Sequence, residues 1–193
     1  MKTPSAILSA ALLSEGLLTL VAYGIYWLTG LSPAFSTSVN HIVLGAVAAV
    51  PLLLLNHIIW RWSLKHPQTV FARFSREIIV PLCARISPPL AFTVAVLSGF
   101  AEELLFRGAL NQVLIESVGT GLAAVISSAL FAYVHFIGNL KRFGGMLPLY
   151  TGVGLYLWGV TCVTGSLTAA MVAHGVYNFL AIVTIRHKTA GLM

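Results

Sequence analysis

Two glutamates stand side by side in one of the apolar segments of the chain, Ala101-Glu102-Glu103-Leu104-Leu105-Phe106-Arg107-Gly108, and they are two of only five acidic residues in the sequence. An ionised carboxylate held in hydrocarbon costs at least about 2.5–3.5 kcal/mol, so such a group faces a polar cavity, meets a partner or takes part in chemistry. Glu103 and Arg107 are four residues apart, the spacing that stacks two side chains on one helix face and lets them pair. Glu102 is turned about 100° from its neighbour. Arg107 can therefore neutralise one carboxylate while the other is free for a separate partner, as a general base would be. The plainer alternative is a set of buried structural ion pairs, which leaves two acids sharing one local cation.

Two further apolar segments carry polar side chains. One holds Phe131-Ala132-Tyr133-Val134-His135, where a lone histidine suits a packing hydrogen bond as well as it suits chemistry. The other holds His174-Gly175-Val176-Tyr177-Asn178, with His174 and Asn178 on one helix face. Two donors on one face can stabilise an oxyanion, or they can simply hydrogen-bond a neighbouring helix, which Gly175 would let approach closely. Together Glu102, Glu103, Arg107, His135, His174 and Asn178 supply nearly all the strongly polar side chains of three segments, beside small hydroxyls such as Ser127, Ser128, Thr161 and Thr164. Six costly groups on three helices need one another and are expected to converge on one hydrated cavity. Glu15, in the first apolar segment, either reaches that cavity or makes a helix contact together with Ser14. His41 and His57 read as interfacial, and His66, His187 and Glu116 as loop residues.

The elements that must position these groups are membrane spans. The chain has 193 residues, 58% hydrophobic and 8% charged, with a mean hydropathy of +0.92. A soluble domain carries about 25% charged residues. The fold expected is all-α, a polytopic transmembrane helix bundle forming a single membrane domain over 1–193. Six spans are expected, at about 5–29, 40–60, 88–114, 120–140, 146–164 and 166–186. The first is too long for the apolar core of a signal peptide and has no clear cleavage site. Basic residues fall at every second boundary: Lys2, then Arg61, Lys65, Arg73, Arg76 and Arg85, then Lys141 and Arg142, then Arg186 and Lys188. The alternate loops have none, which places both termini in the cytoplasm. The net charge of +6 reads as these topology-setting residues, with membrane lipids as partners and no nucleic acid. Aromatic and basic residues interleave in the 61–87 loop, as in a helix lying on an anionic bilayer surface. Cys83 and Cys162 suggest neither a disulfide frame nor a metal knuckle.

Straight helices would not bring the polar groups level. Glu102 lies roughly 21 Å along its helix from Pro88, and His174 about 18 Å from Arg186, whereas His135 is only about 9 Å from Lys141. Either the third span is tilted and begins after Pro88, or the 136–147 segment dips into the protein.

The motifs resemble those of the CPBP family, the CAAX proteases and bacteriocin-processing enzymes also called the Abi family. Glu102 through Arg107, followed by Gly108, is similar to its EExxxR motif; Phe131 through His135 to FxxxH; and His174 through Asn178 to HxxxN. The stretch from Leu157 to Leu167 resembles the approach to the last motif. The likeness covers about residues 88–180, the expected catalytic core. It implies a glutamate-type intramembrane endopeptidase in which Glu102 and His135 hold and activate water. His174 and Asn178 would form the oxyanion hole, and Glu103 and Arg107 would support the site. It implies no cofactor, a membrane-embedded or lipidated protein or peptide as substrate, and a bacterial or archaeal cytoplasmic membrane as location. Two other readings stand beside it. Glu and His side chains can bind zinc, as in a metal-dependent CAAX-type protease, although no HExxH helix is present. A non-catalytic immunity, scaffold or transport protein would also keep buried carboxylates.

Overall fold

The apolar segments fold into helices whose ends are marked by ordinary capping residues. The computed structural model describes residues 3–36 and 38–190, so Lys2, expected to help set topology, lies outside them. Helix α1 (Pro4–Thr29) begins at Thr3, whose hydroxyl accepts from the Ala6 N–H, with Pro4 in the first turn. It stops at Gly30, whose positive φ is the usual left-handed helix stop. Helix α2 (Val39–Lys65) is capped by Ser38. A short amphipathic run follows: α3 (Val70–Phe74), π-helical turns at Ser75–Ile79, and α4 (Val80–Cys83). Helix α5 (Pro88–Glu103) continues through π-helical turns (Leu104–Leu110) into α6 (Asn111–Val118), making one 31-residue rod. Helix α7 (Thr120–Phe136) is followed by α8 (Leu140–Phe143), a 3-10 turn (Gly144–Met146), α9 (Leu147–Thr164) and α10 (Leu167–Ala190).

The described residues contain helices and no strands, in line with the all-α expectation. Among the described residues five stretches are long and apolar enough to cross a membrane: Pro4–Thr29, Val39–Lys65, Pro88–Val118, Leu140–Thr164 and Leu167–Lys188. The sixth expected span, α7, has 17 residues and falls short of that length. Leu13, Leu20, Trp27 and Leu28 of α1 and Val47, Leu54 and Ile58 of α2 are exposed. An apolar exterior of this kind, on helices of spanning length, belongs to an integral membrane protein.

Inside, α10 lies between α2 and α5, α1 covers the α5 rod, and α7 pairs with α9. Ala22 and Tyr26 of α1 pack on Leu104, Leu105, Phe106 and Ala109 of the rod. The α5–α10 contact needs a glycine. A Cβ at Gly99 would come 2.8 Å from the Met171 carbonyl oxygen and 2.9 Å from the Gly175 nitrogen, both backbone atoms. No rotamer relieves such a clash, so Gly99→Ala is expected to force the helices apart and to cost about 1–3 kcal/mol. Unfolding in detergent should show that loss, and activity should fall with it, because Glu102 lies three residues after Gly99 and His174 immediately precedes Gly175. An unchanged melting curve would mean that the two helices are not held at this distance.

The α5 helix begins at Pro88, and the 136–147 segment turns three of its side chains inward. Phe136, Phe143 and Met146 are buried together against Val70, Phe71 and Phe74, with the Phe74 ring 5.3 Å from Phe136 and 5.2 Å from Phe143. Helix α7 therefore ends just after His135, over an aromatic floor supplied by the amphipathic run. Arg142 pairs with Glu77 at 2.6 Å across the same junction.

Candidate active site

Glu103 is the hub of the polar cluster. It is 0% exposed, and its Oε1 takes both Arg107 Nη1 at 3.0 Å and His174 Nδ1 at 2.9 Å. Arg107 is fixed on three sides. Besides Glu103, its Nε donates to the Gly154 carbonyl at 3.4 Å, and its guanidinium lies 4.2 Å over the Phe131 ring. The pairing expected from four-residue spacing is present, although the backbone from Leu104 onward is π-helical. Such turns concentrate at functional sites. Within them the Phe106 carbonyl accepts a hydrogen bond from the Ser127 hydroxyl on α7.

Glu102 points elsewhere, as the 100° turn requires. Its Oε2 lies 3.6 Å from His135 Nε2 and 3.9 Å from His174 Nε2. Both separations exceed a direct hydrogen bond, and this oxygen has no hydrogen-bond partner among the described residues. The histidine tautomers follow from their other nitrogens. His135 Nδ1 lies 2.8 Å from the Phe131 carbonyl oxygen, which can only accept, so Nδ1 carries the hydrogen. His174 Nδ1 likewise donates to Glu103. In their neutral forms both rings therefore turn an unprotonated Nε2 toward the same carboxylate oxygen.

Asn178 is held by Ser98, with Nδ2 donating to Ser98 Oγ at 2.9 Å. An amide nitrogen carries two hydrogens, so this bond leaves one. Four of the six residues grouped from the sequence (Glu102, Glu103, Arg107, His174) are largely buried, while 28% of the His135 side chain is accessible. His135, His174 and Asn178 line a cavity of about 340 Å³, bounded otherwise mainly by apolar side chains of α2, the amphipathic run, α9 and α10.

Sequence reasoning passed over Ser98. It lies four residues before Glu102 on the same helix face, which is the signal that would have found it. It also left Glu15 undecided. Glu15 accepts from the Ser14 hydroxyl at 3.2 Å, and its Oε2 is buried with no hydrogen-bond partner among the described residues. His41 does more than mark an interface, since its ring bridges Ser36 Oγ at 2.6 Å and the Thr164 carbonyl at 3.1 Å. Cys83 also lines the cavity. Burial pushes its thiol up to about 11, so at neutral pH it stays protonated and is a poor nucleophile. Among the described residues no three His, Cys, Asp or Glu side chains are placed to share a metal ion.

Compared with known proteins, the chain matches one family model, described as type II CAAX prenyl endopeptidase Rce1-like, over residues 84–180. Neither the curated proteins nor the solved structures gave a match.

Proposed function

Because the chain belongs to the Rce1-like family of type II CAAX prenyl endopeptidases, a family of membrane proteases, we propose that it is an intramembrane endopeptidase whose attacking water is held between Glu102 and His135. The observation that carries this reading is His135 Nε2 standing 3.6 Å from a buried Glu102 carboxylate oxygen that has no hydrogen-bond partner among the described residues. A carboxylate oxygen and an unprotonated imidazole nitrogen do not bond each other. A water donating one O–H to each satisfies both and keeps a lone pair for attack.

In the reaction, the water oxygen attacks the scissile carbonyl carbon while Glu102 takes its proton. The carbonyl π electrons move onto oxygen. A protonated His174 and the remaining N–H of Asn178 donate to that oxyanion, in fixed positions where negative charge develops. Glu102 then passes its proton to the leaving nitrogen, the C–N bond breaks, and the proton left on the new carboxyl group moves to the amine, so that a carboxylate and an ammonium are released. Glu103 holds the His174 ring by Nδ1 and balances its positive charge, and Arg107 and Ser98 keep Glu103 and Asn178 in place. The apolar walls of the cavity suit a peptide that is membrane-embedded or carries a lipid.

The test uses pure protein in detergent, a farnesylated peptide ending in a CAAX sequence, and the same peptide without the lipid. Products are read by mass spectrometry with and without a chelator. We expect cleavage that the chelator does not affect, and a loss of about 100-fold or more in His135→Ala. A stoichiometric metal whose removal abolishes cleavage would replace this mechanism with a metal-activated one.

A further inference from the structure

We propose that Asn56 of α2 is a substrate-binding residue, its side-chain amide hydrogen-bonding the backbone of an extended peptide beside the scissile bond. This rests on the endopeptidase reading above and extends it to a helix outside the matched residues 84–180.

The inner face of α2 reads Gly45, Ala49, Leu52, Asn56, Ile59, Ser63, in alternating steps of four and three. Gly45, Ala49, Leu52 and Ser63 are buried. Asn56 places a carboxamide in the middle of this stripe, at a position where packing alone asks for an apolar residue. The register of α2 on α10 is fixed at two points. A Cβ at Gly45 would meet the Ala169 carbonyl oxygen at 2.5 Å and Val172 Cβ at 2.8 Å, and Leu52 packs with Ala173 and Tyr177. One turn further along, Asn56 comes level with the residues after Tyr177. It lines the same cavity as His135, His174 and Asn178.

Those three site residues all have protein partners: Phe131, Glu103 and Ser98. The Asn56 amide has none among the described residues. A span-embedded amide of this kind needs a partner from outside the fold. A peptide lying in the cavity brings one unpaired N–H and one C=O per residue, with no bulk water to satisfy them. Asn offers an acceptor oxygen and a donor NH₂, so it can pair with both. The offset from His174 is about one helical turn, near 5 Å. An extended chain rises about 3.3 Å per residue, so the peptide group met by Asn56 is one or two residues from the cleaved bond.

The experiment compares the full-length protein with Asn56→Leu, using the peptide probes above. Asn56→Leu is expected to raise KM about tenfold while leaving kcat nearly unchanged. Binding of the uncleaved peptide is measured directly in a Glu102→Gln background, where Asn56→Leu should weaken Kd by the same factor. N-methylation of the peptide one or two residues from the scissile bond should weaken binding about tenfold with Asn56 present and have no further effect in Asn56→Leu. A role confined to packing would not move that coupling. If Asn56→Leu does not fold, Asn56→Ala removes the amide without adding bulk. Equal N-methyl penalties with and without Asn56, or an unchanged Kd, overturn the proposal while peptide cleavage by the wild-type protein keeps the endopeptidase reading. Protein that neither binds nor cleaves the peptides overturns both.

Discussion

Glu102→Gln is expected to lower kcat/KM by about 10²–10⁴-fold, the usual contribution of a positioned general base, and to leave the protein folded. The substitution keeps the shape of the side chain and removes only its ability to take a proton. Folding should tolerate it because Glu102 makes no direct ion pair as close as those of Glu103. Its nearest imidazole nitrogens are 3.6 and 3.9 Å away, against 3.0 and 2.9 Å for the Glu103 contacts. Turnover and unfolding in detergent, measured on the same preparation, separate the two effects. Activity within tenfold of wild type, at unchanged stability, would move the base to another residue.

Arg107→Ala should behave in the opposite way, with a large loss of stability that drags activity down with it. Removing one partner of a buried pair costs about 3–5 kcal/mol, because the other charge stays buried and uncompensated. Here two buried carboxylates, Glu102 and Glu103, would be left with His174 as their one near cation, so one negative charge loses its partner. The cost is raised by the lost packing of the guanidinium on Phe131. Arg107→Lys keeps the charge but not the planar fork that reaches Glu103 and the Gly154 carbonyl together, so it should recover only part of the loss. Combining Arg107→Ala with Glu103→Gln should cost less than the sum of the single changes, since the second removes the stranded charge. Unfolding midpoints of the three variants read this directly. Additive losses would argue that the pair does not act as a unit.

Much of this arrangement was legible in local spacing. A carboxylate four residues before an arginine announces a pair, and two adjacent acids on a helix must diverge. The need of six polar groups for one another announced a shared site before any coordinates. The end of α7 was not legible. Where α7 stops depends on Phe136, Phe143 and Met146 packing against Phe71 and Phe74, residues 62 to 75 positions away in sequence, and no window of α7 itself records that contact. The same tertiary effect leaves α7 shorter than the span expected over 120–140. The π-helical turns after Glu103 were also invisible, because an apolar run such as Leu104-Leu105-Phe106 has no sequence mark that separates i+4 from i+5 bonding. Ser98 was readable and overlooked, since a hydroxyl among apolar residues carries little weight until a partner such as Asn178 is placed beside it. Asn56 is the converse case: its departure from the stripe of α2 is plain in the sequence, but its direction becomes plain only when the cavity is seen.

The account depends on a water activated by Glu102 and transferred to the cleaved carbonyl. Cleavage of the farnesylated peptide in ¹⁸O-enriched water, with chelator present, tests that directly. The prediction is one ¹⁸O in the new carboxylate of the product formed by the wild-type protein, and essentially no product from Glu102→Gln. Product without the label, or labelled product formed at wild-type rate by Glu102→Gln, would contradict it.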